Sequence, residues 1–392
     1  MSDPVIVSAC RTPIGTAFKG TLVDTSAFDL ADLVVREALQ RSGLEASEID
    51  DVILGETLYG GGDIARHAAV TAGIIDAGGM ALNRHCASGM SAVQTGAATI
   101  AAGMADAVIV GGAHSTSTSP VARRRIPGTD EWADPWYSPT HPDRPDAPNM
   151  DMSITVGWNA ATAADVTREE MDHWALRSHQ RAIAAIDEGR FDDEIVPVRV
   201  TTRDGQTIQF ALDEHPRRGS TAEKLASLKP IHPEIEGFSI TPGNSSGIND
   251  GAAALVLTSA ELAAERSLQT LATVRAWASV GVDPVRTGLA PTIAIPKALG
   301  RIGLTVGDVD LFEINEAFAA MCVATTRVLD IDPEIVNVSG SGCSLGHPVA
   351  ATGARMIVTL LHELQRRGGG IGVAAMCAGG GMGSATVIEV RP

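Results

Sequence analysis

Two tyrosines, five tryptophans and seven phenylalanines are the only aromatic side chains among 392 residues, while glycine occurs 41 times. Bulky ring-packed surfaces are therefore few and close backbone approaches many, as in α/β proteins with glycine-rich strand-to-helix turns. Positive charge is also short: 30 Lys and Arg stand against 47 Asp and Glu, a formal net charge of −17. That balance disfavours nonspecific binding to nucleic acid or an anionic membrane, so an anionic ligand needs a local basic patch. Only five cysteines are present, at Cys10, Cys86, Cys322, Cys343 and Cys377. Their odd number and wide spacing give neither the paired pattern of a zinc site nor a disulfide framework. The start, MSDPVIVSACRTPIG, lacks the cationic and apolar pattern of a signal peptide, and no apolar run reaches a membrane-spanning length. The expectation is a cytoplasmic protein with no membrane span, no nucleic-acid partner and no metal.

Apolar periodicity then organises the chain. Val5 to Ala9 reads as a strand, and Leu30, Leu33, Val34 and Leu39 as one face of a helix that Gly43 ends. Asp51–Leu58 reads as a buried strand, Cys86 as the start of an alanine-rich helix that stops near Gly103, and Asp106–Ala113 as another strand. A similar order returns late. Ile295–Leu304 reads as a helix, Gly307–Phe318 as a strand, Gly346–Leu364 as a glycine-rich turn entering a helix, and Gly370–Gly381 as a strand ending in glycines. Cys86 and His347 occupy matching places in the two passes. Two α/β halves of this kind would bring both helix N-termini to one interface. The material between differs: 119–247 reads as an inserted domain, with a helix from Thr167 that has Glu170 at capping-box spacing and Gly189 near its end. This gives 1–118 as a first half, completed by about 248–268, and 269–392 as a second.

Several residues carry chemical promise. A thiolate is a nucleophile, and a helix N-terminus lowers a thiol's pKa, so Cys86 in NRHCASGM is a candidate nucleophile; a buried inert cysteine is the other reading. His347, fixed between Gly346 and Pro348, is a candidate base or oxyanion donor. Cys377 precedes three glycines whose N–H groups can form an anion nest. Asn315, in NEAF, can hold a water or a carbonyl, or cap the next helix.

Taken in order, Cys86, GNSSGINDGAA, NEAF, GHP and CAGGGMG resemble the thiolase family over essentially the whole chain, from VIVSACRTPIG to GSATVIEV. The resemblance implies two similar βαβαβαββ halves forming a five-layered α-β-α-β-α core, with an inserted loop domain serving CoA binding and oligomerisation. It implies thiolytic cleavage of 3-oxoacyl-CoA to acetyl-CoA and a shortened acyl-CoA, or the reverse Claisen condensation, with ping-pong chemistry. Cys86 would carry the acyl group, His347 activate it, and Cys377 move protons. Asn315 would hold a water in one oxyanion hole, and the N–H groups of Cys86 and Gly379 would form another. No tightly bound cofactor is implied; CoA is substrate and product. Arg217, Gly243 and Ser246 match CoA-contacting positions, with Arg217 near the nucleotide and Ser246 along the pantetheine tunnel. A homodimer or homotetramer is implied. GHPVAATGARM is similar to the thiolase subunits of β-oxidation complexes, which points to degradation and to association with such a complex.

Three departures mark this chain. A His-Met-Gly box usual in the family is replaced around Met152 and Ser153, a second pocket methionine around Thr287, and a Gly-Gly-x-Glu strand end by GGAH, giving His114. With Phe318, these positions would shape the acyl pocket, which is expected to be wider or more polar than in acetoacetyl-CoA enzymes. Two alternatives remain at this stage: a ketoacyl-synthase-type condensing enzyme, against which Cys377 argues, and an acyl-CoA or lipid-binding protein with little turnover.

Overall fold

The computed structural model describes residues 2–59 and 62–392. Its largest element is a ten-stranded sheet. In chain order its main strands are β1 (Pro4–Arg11), β2 (Asp51–Gly55), β3 (Met80–Leu82), β4 (Ala107–His114), β5 (Asn249–Ser259), β6 (Ala272–Gly281), β7 (Leu311–Ile314), β8 (Gly370–Ala378) and β9 (Met382–Val390). Across the sheet they run β7-β8-β9-β6-β1-β5-β4-β2-β3. Reading outward from the central β1–β6 pair, both sides repeat one pattern. Each has two antiparallel pairings followed by a parallel one: β1–β5–β4–β2 on one side, β6–β9–β8–β7 on the other. The repeat legible in the sequence is thus a repeat of strand pairing.

Alternation along the strands sets the layers, because successive side chains leave a strand on opposite faces. Ile53, Val108 and Val110 face a central apolar cluster; Val52, Leu54 and Ile109 face an outer one. In the second half Ala374 and Met376 face the same central cluster, while Val373 and Ala375 face a third. The helices follow. Helix α1 (Ala27–Ser42) covers the first outer face. Helices α2 (Ser88–Ala101) and α6 (Thr352–Arg366) fill the centre. Between these two in the chain come α3 (Arg168–Asp187), α4 (Pro291–Gly300) and α5 (Ala319–Leu329), and α4 and α5 cover the second outer face. The result is α-β-α-β-α, with the two sheet halves wrapped around one central helix pair.

Local chemistry accounts for the ends. Ser26 and Asp29 form a capping box on α1, and Gly43 closes it at φ 75°. Thr167 and Glu170 do the same for α3. Helix α4 begins four residues before the expected Ile295, because Pro291 serves as its first residue, where a missing N–H costs nothing. The chain between β4 and β5 does not bury its apolar residues by itself: Trp174, Phe238 and Ile240 join the cluster under α5, and Val198 and Phe210 join the one under α1.

The central helices approach closely. A Cβ on Gly353 of α6 would stand 2.4 Å from the Met90 nitrogen of α2, and one on Gly89 would stand 2.7 Å from the Ala350 oxygen. Two glycines therefore set the separation of the helices that carry the two halves' reactive turns.

Candidate active site

Cys86 lies in the turn just before α2, not in its first helical residue; the helix begins at Ser88. Ser88 Oγ accepts from the Arg84 N–H at 2.9 Å and donates to the His85 carbonyl at 2.7 Å, closing the turn. His85 adopts a left-handed φ of 46°, held by its N–H bond to Asn83 Oδ1 at 2.8 Å. The Arg84 guanidinium reaches Ser91 Oγ at 2.8 Å and Ser279 Oγ at 2.7 Å, tying the turn to β6. Burial pushes the Cys86 thiol up to about 11, against backbone N–H groups of Gly379 and of Cys86 itself, which favour the thiolate. The expectation of a lowered pKa is overturned. Desolvation of the charged form outweighs the donors at the helix entrance.

His347 is fixed from three sides. Its N–H donates to Asn249 Oδ1 at 3.0 Å. Gly346 before it has φ 106° and passes so close to Asn249 that a Cβ would lie 2.5 Å from that side chain, so only glycine fits. Its Nδ1 lies 2.7 Å from Thr352 Oγ1, whose hydroxyl donates to the Pro348 carbonyl at 2.9 Å. With the threonine proton so used, Nδ1 carries the ring proton and Nε2 keeps a free lone pair. The Asn315 amide Nδ2 lies 3.4 Å from that Nε2. Burial, then neighbouring His114 and Arg355, push His347 down to about 3, so the resting ring is neutral.

Asn315 does not cap α5, whose N-cap is Phe318. Instead Glu316, beside it, anchors the segment by accepting from Trp174 Nε1 (2.9 Å), Ser178 Oγ (2.6 Å), Asn337 Nδ2 (2.9 Å) and the Cys343 N–H (3.1 Å). Cys377 is the last residue but one of β8, its Sγ 3.5 Å from Met321 Sδ. Burial, then the neighbouring Cys86, raise its pKa far above the ordinary thiol value.

Cys86, His347, Cys377 and Gly379 line one cavity of about 250 Å³ together with Met152, Val156, Ser246 and Phe318. Gly247, Ile248, Ala317 and Val349 complete it. Asn315 reaches this site through its contact with His347. Ser246 also lines an adjoining cavity of about 590 Å³ that contains Arg217. Gly243 lines neither; a Cβ there would lie 2.4 Å from Leu228, so it serves close packing.

Two expected pocket residues are turned away. Ser153 opens a π-helical turn, and its hydroxyl donates to Asp151 Oδ1 at 2.6 Å. Thr287 donates to the Pro284 carbonyl at 2.6 Å and accepts from the Gly381 N–H at 3.0 Å, bracing the glycine loop after Cys377 from behind. Neither hydroxyl lines the cavity, whose wall includes Met152, Val156, Phe318 and Val349, because both satisfy themselves on local partners. His114 is buried between Thr57 Oγ1 (3.3 Å) and Thr116 Oγ1 (3.0 Å), and burial pushes it down to about 4. Sequence reading missed Asn249 and Glu316. Both sit inside quoted motifs, GNSSGIND and NEAF, but their partners are distant in the chain. Among the described residues no group of three or more His, Cys, Asp or Glu is arranged to hold a metal ion, and no helix is long and apolar enough to cross a membrane.

Residues 4–261 match the family model "Thiolase, N-terminal domain" and 268–390 "Thiolase, C-terminal domain". The chain is 42% identical over 401 residues to an acetyl-CoA acetyltransferase of Pseudomonas aeruginosa, covering 99% of each. It superposes on the crystal structure of the Bacillus anthracis acetyl-CoA acetyltransferase with a TM-score of 0.91 at 42% identity, covering 100% of this chain and 99% of that one. On human mitochondrial 3-ketoacyl-CoA thiolase the TM-score is 0.90 at 35% identity, with the same coverage.

Proposed function

The chain belongs to the thiolase family, and from that premise we propose that it exchanges acyl groups between CoA and the α-carbon of acetyl-CoA, through an acyl thioester on Cys86. The observation that carries the reading is that both thiols, the histidine and the Gly379 backbone open onto one cavity.

In the thiolysis direction, His347 Nε2 takes the Cys86 proton as Sγ bonds to C3 of a 3-oxoacyl-CoA. The N–H groups of Cys86 and Gly379 receive the oxyanion that forms there. The C2–C3 bond breaks and its electron pair remains on C2 as the enolate of acetyl-CoA. The enolate oxygen is met by the protonated Nε2 and by a donor held at Asn315. The Cys377 thiol protonates C2, and acetyl-CoA leaves. CoA gives its proton to the Cys377 thiolate and attacks acyl-Cys86. The released Cys86 sulfur recovers its proton from His347. Condensation is the same path reversed. Because burial keeps the resting pair as thiol and neutral imidazole, charge develops only when substrate brings an acceptor for it.

The apolar wall fits an aliphatic acyl group without polar substituents. The chemistry needs both thiols reduced, which favours a cytoplasmic setting. A homodimer or homotetramer is supported by β3, an edge strand with Met80 40% exposed. Thiolysis measured over 3-oxoacyl-CoAs from short to long, with Cys86→Ala alongside, tests the function. The parent turns over, the variant does not, and mass spectrometry finds an acyl adduct on Cys86. An adduct on another residue, or CoA binding without turnover at every chain length, would sink the reading.

A further inference from the structure

A buried ion pair stands in the central layer behind the site, and the chemistry above leaves it unused. Leu311 faces the central apolar cluster, while Phe312 and Ile314 face the outer one. By the same alternation Glu313 and Asn315 leave the β7 segment toward the centre. There Glu313 Oε1 accepts from Arg355 Nη1 at 2.6 Å and from Ser341 Oγ at 2.8 Å, and Arg355 Nη2 donates to Ser341 Oγ at 3.1 Å. Glu313 is 3% exposed and Arg355 1%.

Each of the three belongs to an element that carries part of the enolate site. Glu313 precedes Asn315 on one extended segment. Arg355 lies three residues after Thr352 on one face of α6, and Thr352 is the hydroxyl that orients His347. Ser341 lies on the loop that leads to Gly346 and His347, where its carbonyl accepts from the Leu345 N–H at 2.6 Å. That loop also rests against the asparagine, for a Cβ on Gly342 would stand 2.9 Å from Asn315 Oδ1.

Stability does not account for the pair. Burial pushes the Glu313 carboxyl up to about 7, against Arg355 and Ser341, which favour the carboxylate. The Arg355 Nε meets no acceptor among the described residues. Taking both charges out of water is costly, and apolar residues of similar volume are often as stable or more so. What the ions supply and apolar side chains do not is direction, since a short charged contact holds strand and helix at one separation.

We propose that Arg355 and Glu313, bridged by Ser341, are positioning residues that clamp β7 to α6 and so fix Asn315 against His347 where the enolate oxygen is held. This rests on the acyl-transfer reading above. The clamp bears on the step that makes or consumes the enolate. It does not bear on acyl transfer between Cys86 and CoA, which needs His347 but no donor at Asn315.

Two reactions of the same enzyme separate these steps. Thiolysis of a 3-oxoacyl-CoA breaks the C2–C3 bond through the enolate. Exchange of acetyl between acetyl-CoA and isotopically labelled CoA passes through acetyl-Cys86 with no carbon–carbon bond broken. The paired variant Glu313→Gln/Arg355→Met is neutral and close in volume. It is expected to lower kcat of thiolysis by about 10- to 100-fold, the scale of a displaced group in a positioned site, while KM for CoA and the exchange rate hold. Arg355→Lys, which keeps the charge but not the two-pronged reach, should show a smaller fall in thiolysis alone, and it decides the matter if the paired variant does not fold. Thiolysis at the parent rate, or an equal fall in thiolysis and exchange, overturns the proposal and leaves the function standing. A parent enzyme that performs neither reaction overturns the function itself.

Discussion

Nδ2 of Asn315 lies 3.4 Å from Nε2 of His347, and the other end of the same amide, Oδ1, meets no protein donor among the described residues. The two residues come from different turns of the second half. Asn315 is joined to β8 by its N–H bond to the Ala375 carbonyl at 3.0 Å, and Glu316 locks the segment from below. A buried amide that keeps one strong acceptor unused beside a catalytic-type imidazole is a positioned polar group, ready to accept from a water that in turn donates to a substrate oxygen.

Asn315→Ala is therefore expected to lower kcat for thiolysis by about 10²–10³-fold, the usual effect of removing one oxyanion-hole donor, with KM for CoA nearly unchanged. Steady-state kinetics at saturating CoA reads this directly. A change confined to KM would place Asn315 in ground-state binding and remove it from the enolate site.

How much of this was readable beforehand follows from distance along the chain. The repeat was legible because strand alternation and glycine punctuation are local signals, and the five layers came with the family resemblance. Cys86, His347 and Cys377 were legible because each sits in a short motif at a turn. What burial does to them was not, since desolvation depends on everything packed around a group. Ser153 and Thr287 were placed on the pocket by their match to the family's pocket positions alone. A π-helical turn and two local hydrogen bonds turn them off it. Asn249 was invisible because it acts on His347, 98 residues away.

A half-buried thiol that shares its cavity with a neutral imidazole has a definite signature in alkylation. With Cys86 held up near 11, the fraction of thiolate at neutral pH is small and grows about tenfold per pH unit. The iodoacetamide rate at Cys86, followed by peptide mass spectrometry, should climb steadily from pH 7 to 9. A rate already level below pH 7 would mean a resting thiolate–imidazolium pair.

His114 ties stability to pH in a known direction. Burial pushes it from 6.5 down to about 4. Between those values the unfolded chain binds the proton and the folded one does not. Stability from this group is complete above about pH 6.5 and is lost as pH falls, by up to about 1.4 kcal/mol per unit, levelling below the folded value. His114→Gln keeps hydrogen-bonding capacity toward Thr57 and Thr116 but removes the titration. Denaturant unfolding at pH 7 and pH 5 should show the parent losing about 2 kcal/mol more than the variant. Equal losses would mean that His114 protonates in the folded protein without cost.

The glycine contact between α2 and α6 should govern activity through geometry. A methyl at Gly353 meets the Met90 nitrogen at 2.4 Å and its Cβ at 2.6 Å, and backbone cannot rotate away as a side-chain tip can. The helices must part, and they carry the turns of Cys86 and His347 at their N-terminal ends. Gly353→Ala is expected to destabilise by about 1–3 kcal/mol, as overpacking does. Gly96→Ala provides the comparison: on the same helix α2, its methyl would lie 2.5 Å from Val110 Cγ1, a side-chain contact with β4. Both variants lose stability, but only Gly353→Ala should lose kcat out of proportion to it, measured well below each variant's melting temperature. If kcat fell equally in both, the contact would be one more packing site, and the distance between the two turns would be held by the sheet instead.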